Sequence, residues 1–418
     1  MKKILFLIFL CSATVNYSQT NISGGLFTNT TWTVTGSPYI LSNDVALFPG
    51  YSLTIEPGVI IKFNSNSKLI LRGTMTCIGT NQSPIVFTSN LPSPTNGSWV
   101  GIEIDNSQGG KIIGSYILGQ YAENFIKILS PSTGQVLSLN NSQIRNCNYA
   151  IHGYDGQANF SVFLDNMFID QNIYGFVYAH NATITNSIFS NGEKGIHSWE
   201  VPSNNNIVNC EFFNFTIWPE NIANGLIDNC HFHNNAVGVK LRPNITIINS
   251  EIEFNSVGVE ADYPLATSGA NFHDNNICNN LVYNFKHFYG YPINISDNCW
   301  CSDSIAEISE TIFDAYDDAS LGIVTFSPIN TDCASILSIE NSQSTANNFQ
   351  FYPNPTTGLI TFNSDSNKRI IVFSIDGEIV FDQLVQKYVN LSNLSAGMYF
   401  VKCIENDSFF SVQKLLKL

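Results

Sequence analysis

Apolar residues recur along the middle of this chain in short alternating runs. The runs carry their own punctuation: an Asn, followed three residues later by Ile or Phe and nine residues later usually by Gly. The phrase is anchored on Asn141, Asn166, Asn186, Asn209, Asn229, Asn249 and the variant Asp274, in steps of 25, 20, 23, 20, 20 and 25 residues, a period that marks repeat architectures. Two residues before the anchor stand Leu139, Leu164, Ile184, Ile207, Ile227, Ile247 and Phe272. Three after it stand Ile144, Ile169, Phe189, Phe212, Phe232, Ile252 and Ile277. Ten after it, Ile151, Phe176, Ile196, Val239 and Val259 open a second alternating run, as half-buried strands do. A turn of about 20 residues is too short for strand, helix and two loops, yet it holds three short strands stacked about 4.8 Å from their neighbours. The pattern predicts an all-β chain built around a parallel β-helix solenoid. Asn172, Asn235, Asn255 and Asn280 are its expected corner residues, because Asn tolerates left-handed geometry and its amide bonds to a stacked neighbour.

Composition narrows the partners. Only 12% of residues are charged and 44% are hydrophobic, with no sustained helical period. The 33 acidic and 18 basic side chains leave a net charge of −15, which argues against nucleic acid or an anionic membrane surface. At the start, Lys2 and Lys3, the apolar run Ile4 to Leu10 and the small and polar residues before Gln19 read as a secretory signal peptide over residues 1–18. No other run is long enough to span a membrane, so no transmembrane segment is expected in the mature form. Residues 334–348, rich in Ser and Asn, read as a linker. Residues 349–418 change to a compact alternating pattern with turns at Pro355, Asp376-Gly377 and Gly397, which predicts a small sandwich.

Two stretches resemble known families. Ser37 to Ile40, Leu53 to Phe63, Gly73, Gly79-Thr80, Pro84 to Thr88 and Trp99 to Ile102 resemble the opening coils of bacterial right-handed β-helix proteins of the pectate-lyase-like superfold. Asn298 to Trp300, Ile312 to Asp318, Leu321 to Val324 and Ser327-Pro328 resemble the segment that closes such helices, so the solenoid is expected over about residues 25–333. Similar proteins carry Gly after that Trp; Cys301 stands there instead, which questions the local turn and suggests a covalent tie. At the other end, Tyr352, Pro353, Asn354, Pro355, Gly358, Gly377, Leu391 to Leu394, Gly397, Tyr399 and the finish Lys414 to Leu418 resemble the C-terminal sorting domain of type IX secretion cargo. That resemblance implies an Ig-like β-sandwich read by the outer-membrane translocon, and a product that is secreted or held on the cell surface.

Candidate chemistry follows from strand alternation. If the residue ten after the anchor points inward, those at eleven and thirteen point outward. The resulting stripe is His152 and Tyr154, Val177 and Ala179, His197 and Trp199, Glu220 and Ile222, Lys240 and Arg242, Glu260 and Asp262. In enzymes of the resembled superfold this sheet lines a glycan cleft, which implies substrate binding by His152, Tyr154, His197, Trp199, Lys240 and Arg242, with aromatic rings stacking on sugars. Lys240, Glu220, Glu260 and Asp262 are the catalytic candidates, Glu220 with Glu260 or Asp262 as a carboxylate pair across a cleft. The plain alternative is cross-strand pairing of Lys240 with Glu260 and Arg242 with Asp262. A second outward stripe, two and four after the anchor, stacks Glu211, His231 and Glu251 beside Phe213, His233 and Glu253. His231 and His233, with Glu251 or Glu253, have the makings of a Zn²⁺ or Ca²⁺ site, though no cofactor is required by the reading.

Setting aside Cys11 leaves nine of the ten cysteines, an odd number for an oxidising compartment. Cys210 and Cys230 share a column in neighbouring coils, close enough for a disulfide and equally consistent with two stacked thiols. Cys299, Cys301 and Cys333 cluster near the closing segment, where a bond from either of the first two to Cys333 would staple the end of the helix. The reading favoured on these grounds is an exported β-helix that faces polysaccharide as a binding or adhesion protein. A polysaccharide lyase or glycoside hydrolase is the alternative, and a structural spacer the second alternative.

Overall fold

The computed structural model describes residues 19–198, 204–263, 269–331, 351–362, 368–374, 379–405 and 408–418. The expected signal peptide, the linker, Trp199, Cys333 and Gly377 lie outside them. The chain divides into two compact units, Met1–Leu337 and Ser338–Leu418.

The first unit is a parallel solenoid in which each apolar column continues from coil to coil. Ile144, Ile169, Phe189, Phe212, Phe232, Ile252 and Ile277 are successive register partners, and all are buried. So are Leu139, Leu164, Ile184, Ile207, Ile227, Ile247 and Phe272. One face is an 11-stranded sheet running from Thr30–Trp32 to Asn271–Phe272. A 17-stranded sheet covers the other two faces, because strands such as Ile188–His197 run unbroken through the corner between them and pair with both Phe168–Asp170 and Tyr174–Val177. Beyond Glu211–Asn221 the last of these faces continues as Val237–Lys240, Val257–Ala261, Tyr283–His287 and Ile312–Phe313.

The recurring Gly has a steric cause. A Cβ on Gly195 would lie 2.0 Å from the Pro219 carbonyl oxygen, and one on Gly238 would lie 2.5 Å from that of Gly258, so only Gly lets adjoining coils close to ladder distance here.

The corners differ from expectation. Left-handed backbone falls on the anchors themselves, Asn141, Asn166, Asn186, Asn209, Asn229 and Asn249 with φ between 48° and 55°, and on Asn146, Gln171, Asn191, Asn214 and Asn234 five residues later. Asn172, Asn235 and Asn255 are buried instead and do not take positive φ. Their amides bond inward and along the stack: Asn255 Nδ2 donates to the Phe232 carbonyl and Asn255 Oδ1 accepts from the Asn235 N–H at 3.0 Å. Both groups are backbone polar atoms that the interior must satisfy.

The closing segment bends back through Cys301, whose φ of 58° is the geometry Gly would normally supply. Cys301 is bonded to Cys278, its counterpart one coil earlier, and not to Cys333. Cys299 is also disulfide-bonded. Cys210 and Cys230 are free, buried thiols; each Sγ lies within hydrogen-bond reach of a carbonyl of its own coil and of one in the preceding coil.

The second unit packs a three-stranded antiparallel sheet, Phe351–Tyr352, Leu359–Phe362 and Tyr388–Asn390, with a four-stranded one of Lys368–Ser374, Ile379–Val385, Gly397–Glu405 and Ser408–Lys417. Phe351, Ile360 and Val389 of the first share a core with Ile370, Val372, Val401 and Leu415 of the second, which makes a small β-sandwich. Asn354 Oδ1 accepts from the Leu416 N–H at 2.9 Å, and the Leu418 N–H donates to the Thr356 carbonyl at 2.8 Å. The Tyr-Pro-Asn-Pro segment is thereby tied to the last residues of the chain. The Tyr399 hydroxyl donates to the Ser395 carbonyl at 3.0 Å and pins the turn at Gly397.

Candidate functional site

The expected stripe of outward residues is not one open row. In strand Glu211–Asn221 one extra residue enters after Phe215: Gly192 pairs with Phe215, but Lys194 pairs with Trp218 and Ile196 with Glu220. A slip of one residue exchanges the two faces of a strand. Glu220 therefore occupies the inward column of Phe176 and Ile196 and is completely buried. Burial pushes its carboxyl up to about 7, against the pull of the Lys240 N–H, the Arg242 charge and the Ile222 N–H. Ile222 and Ala179, also expected outside, belong to the core. For Ala179 the cause is Tyr178, whose φ of 51° breaks the alternation just past Tyr174–Val177.

Lys240 and Arg242 do leave the sheet on the outer side, but covered and paired. Lys240 Nζ lies 2.9 Å from Glu260 Oε2 and 2.6 Å from Asp262 Oδ2. Arg242 is paired with Asp262, and its Nε donates to Asn221 Oδ1 at 2.7 Å. Burial raises the Asp262 carboxyl, yet the Arg242 and Lys240 hydrogen bonds and charges outweigh it and hold the group below its usual value. The catalytic candidates are thus divided by the sheet itself, Glu220 within and Lys240, Glu260 and Asp262 without. Two surface concavities of about 580 and 690 Å³ lie on earlier coils, lined by residues between Ser23 and Val136.

What this face does assemble is an aromatic double column. Tyr149, Tyr174, Lys194 and Trp218 are successive register partners. Tyr149 and Tyr174 stack with centroids 4.8 Å apart, and Lys194 Nζ sits 5.6 Å from the Tyr174 ring and 5.2 Å from the Trp218 ring. Alongside, His152 stacks on Tyr149 at 5.0 Å and on Tyr178 at 5.7 Å, and His197 stacks on Trp218 at 5.3 Å. Burial, aided by the charges of Lys127 at His152 and of Lys194 and Arg242 at His197, lowers both imidazoles to about 4. Of the six residues expected to meet substrate, His152 and His197 enter this array. Tyr154 is half-buried and packs on the core, with its carbonyl bonded to His180 Nε2. Tyr149, Tyr174, Lys194 and Trp218 were not anticipated. The signal for the first three was present, since each lies eight after its anchor, but the column mixes aromatic and basic residues and so escapes an apolar search.

The second stripe converges more tightly. Glu211 stands opposite His231, His231 opposite Glu251, and His233 opposite Glu253. His233 Nε2 is 2.9 Å from Glu211 Oε1, while His231 Nε2 is 3.6 Å from Glu251 Oε2 and 3.4 Å from Glu253 Oε1. Burial and then the Glu253 charge raise Glu251 to about 7; burial and then His233 lower His231 to about 4. These are the residues of the described chain best placed to hold a metal ion.

Comparison with known proteins agrees with both units. The family described as a right-handed β-helix region matches residues 176–307, and the secretion system C-terminal sorting domain matches residues 350–417. A stretch of 69 residues is 38% identical to Protein bark beetle of Drosophila melanogaster, covering 16% of this chain and 2% of that protein. The sorting domain marks the chain for type IX export to the cell surface or the extracellular space.

Proposed function

We propose that this exported right-handed β-helix protein, carrying its own type IX sorting domain, binds polysaccharide on the aromatic face and leaves it uncleaved, as a surface adhesion or binding protein. The carrying observation is the double column of Tyr149, Tyr174, Lys194 and Trp218 beside His152, Tyr178 and His197. The rings stack on one another, so a sugar chain would meet their edges. Among the described residues neither Tyr149 nor Tyr174 commits its hydroxyl to a protein hydrogen bond. Two hydroxyls and an ammonium at strand spacing form a row of donors and acceptors already held in place, which limits the entropy lost on binding. Neutralised pairs at Lys240, Arg242, Glu260 and Asp262 favour binding over turnover. The alternative, a polysaccharide lyase or glycoside hydrolase, draws support from Glu220, since a carboxyl near 7 suits general acid or base work.

A glycan-array screen of the full-length secreted protein, followed by product-release assays on each polysaccharide bound, tests both. The expected result is binding without turnover, weakened about tenfold or more by the double substitution Tyr149→Ala and Tyr174→Ala. Binding to no glycan, or binding indifferent to that substitution, would refute the glycan-facing reading. Turnover that vanishes in Glu220→Gln would establish the enzyme.

A further inference from the structure

We infer that Glu211, His231, His233, Glu251 and Glu253 form a divalent metal site of the zinc class, centred on His231, on a different face of the coils from the aromatic columns. Three consecutive parallel strands supply the residues, so their backbones hold the side chains side by side. Two sets of three, Glu211 with His231 and His233, and His231 with Glu251 and Glu253, each bring one ligand atom per residue within 4.8 Å of the others. His231 belongs to both.

The distances favour coordination over a salt bridge. A tetrahedral ion with bonds of about 2.0–2.1 Å keeps its ligand atoms roughly 3.3 Å apart. His231 Nε2 lies 3.4 Å from Glu253 Oε1 and 3.6 Å from Glu251 Oε2, near that separation for both. The same nitrogen is enclosed by protein and makes no hydrogen bond, although two carboxylates face it. An imidazole serving merely as an ion-pair partner would close on one of them to hydrogen-bond distance.

Ligand chemistry narrows the ion. Two imidazoles among three carboxylates disfavour Ca²⁺ and Mg²⁺, which take oxygen, and suit Zn²⁺ or a similar transition ion. Three formal negative charges gather here, and no Lys or Arg salt bridge to Glu211, Glu251 or Glu253 occurs among the described residues. A divalent ion would supply the missing positive charge. Supporting contacts hold the rings: His233 stacks on Phe213 at 5.1 Å, and its Nδ1 is 2.9 Å from Asn234 Nδ2. Such outer contacts orient metal-binding imidazoles.

The test uses the full-length secreted protein, stripped with chelator and titrated with Zn²⁺ by calorimetry, with Co²⁺ absorption as a second readout. One equivalent is expected to bind, with tetrahedral Co²⁺ bands lacking thiolate charge transfer. His231→Gln and the pair Glu251→Gln with Glu253→Gln are each expected to weaken binding by at least about tenfold, while His273→Ala, at a separate His–Asp contact, leaves it unchanged. No binding by the native protein, or affinity unaltered in both variants, would overturn the assignment. So would thiolate bands in the Co²⁺ spectrum, which need no variant to fold and would place the ion at Cys77, Cys147, Cys210 or Cys230.

Discussion

At position 220 the chain puts a carboxyl where the coil before it puts Ile196, and that exchange governs how stability should vary with pH. The group is fully buried and its pKa is raised from 4.5 to about 7. A raised folded-state value means the stabilising contribution is complete below pH about 4.5 and is lost as pH climbs through 7. The loss amounts to about 3 kcal/mol across that window. Glu220→Gln removes the titration, so the variant's unfolding free energy relative to wild type should rise between pH 4.5 and 8 and then level off. Denaturant melts at a series of pH values measure this, and a constant difference would contradict the burial argument. Asp262 titrates in the opposite sense, its contribution being lost as pH falls, but it is common to both proteins and cancels in the comparison.

Each coil is held by apolar columns and by two Asn ladders, one buried and one on the exposed left-handed corners. The buried Asn ladder is the more demanding, because its amides satisfy backbone groups that no water reaches. Asn255 serves the Asn235 N–H and the Phe232 carbonyl at once. Asn255→Ala should therefore cost about 2–6 kcal/mol, the combined penalty of two unsatisfied buried groups. The exposed ladder, in which Asn229 Nδ2 donates to Asn209 Oδ1 at 2.8 Å, competes with solvent and matters more for its left-handed backbone than for that bond. Asn209→Gly is accordingly expected to be milder than Asn255→Ala. Urea denaturation of the two variants orders them, and equal losses would remove the distinction between the ladders.

For the whole molecule the sandwich unit is the address that sends the solenoid out for export. The chain's final residues are stitched to Asn354 and Thr356, so the features that resemble a sorting signal form one folded object instead of a linear tag. Deleting residues 350–418 should leave the solenoid folded but unexported. Fractionation of cells expressing the truncated chain should find it in the periplasm, and its appearance in the medium at full-length levels would exclude the tail as the export determinant.

How much of this was legible beforehand depends on whether a feature repeats. Stacking presents the same environment at every turn, so Ile144, Phe189 and Phe232 announce the core as a period, and the columns read from the chain coincide with the observed register. The sorting domain was legible from its ordered motif, and the grouping of His231 and His233 with Glu251 and Glu253 from strand alternation alone. Single departures were not. The extra residue that turns Glu220 inward, the left-handed Tyr178 that turns Ala179 inward and the choice of Cys278 as the partner of Cys301 each become visible only when one coil is laid against the next. The sequence by itself determined the coil, because alternation is local and the period repeats it. Only the tertiary structure decided which polar groups meet, because pairing between coils fixes the register, and a one-residue change in register sends a side chain to the other side of the wall.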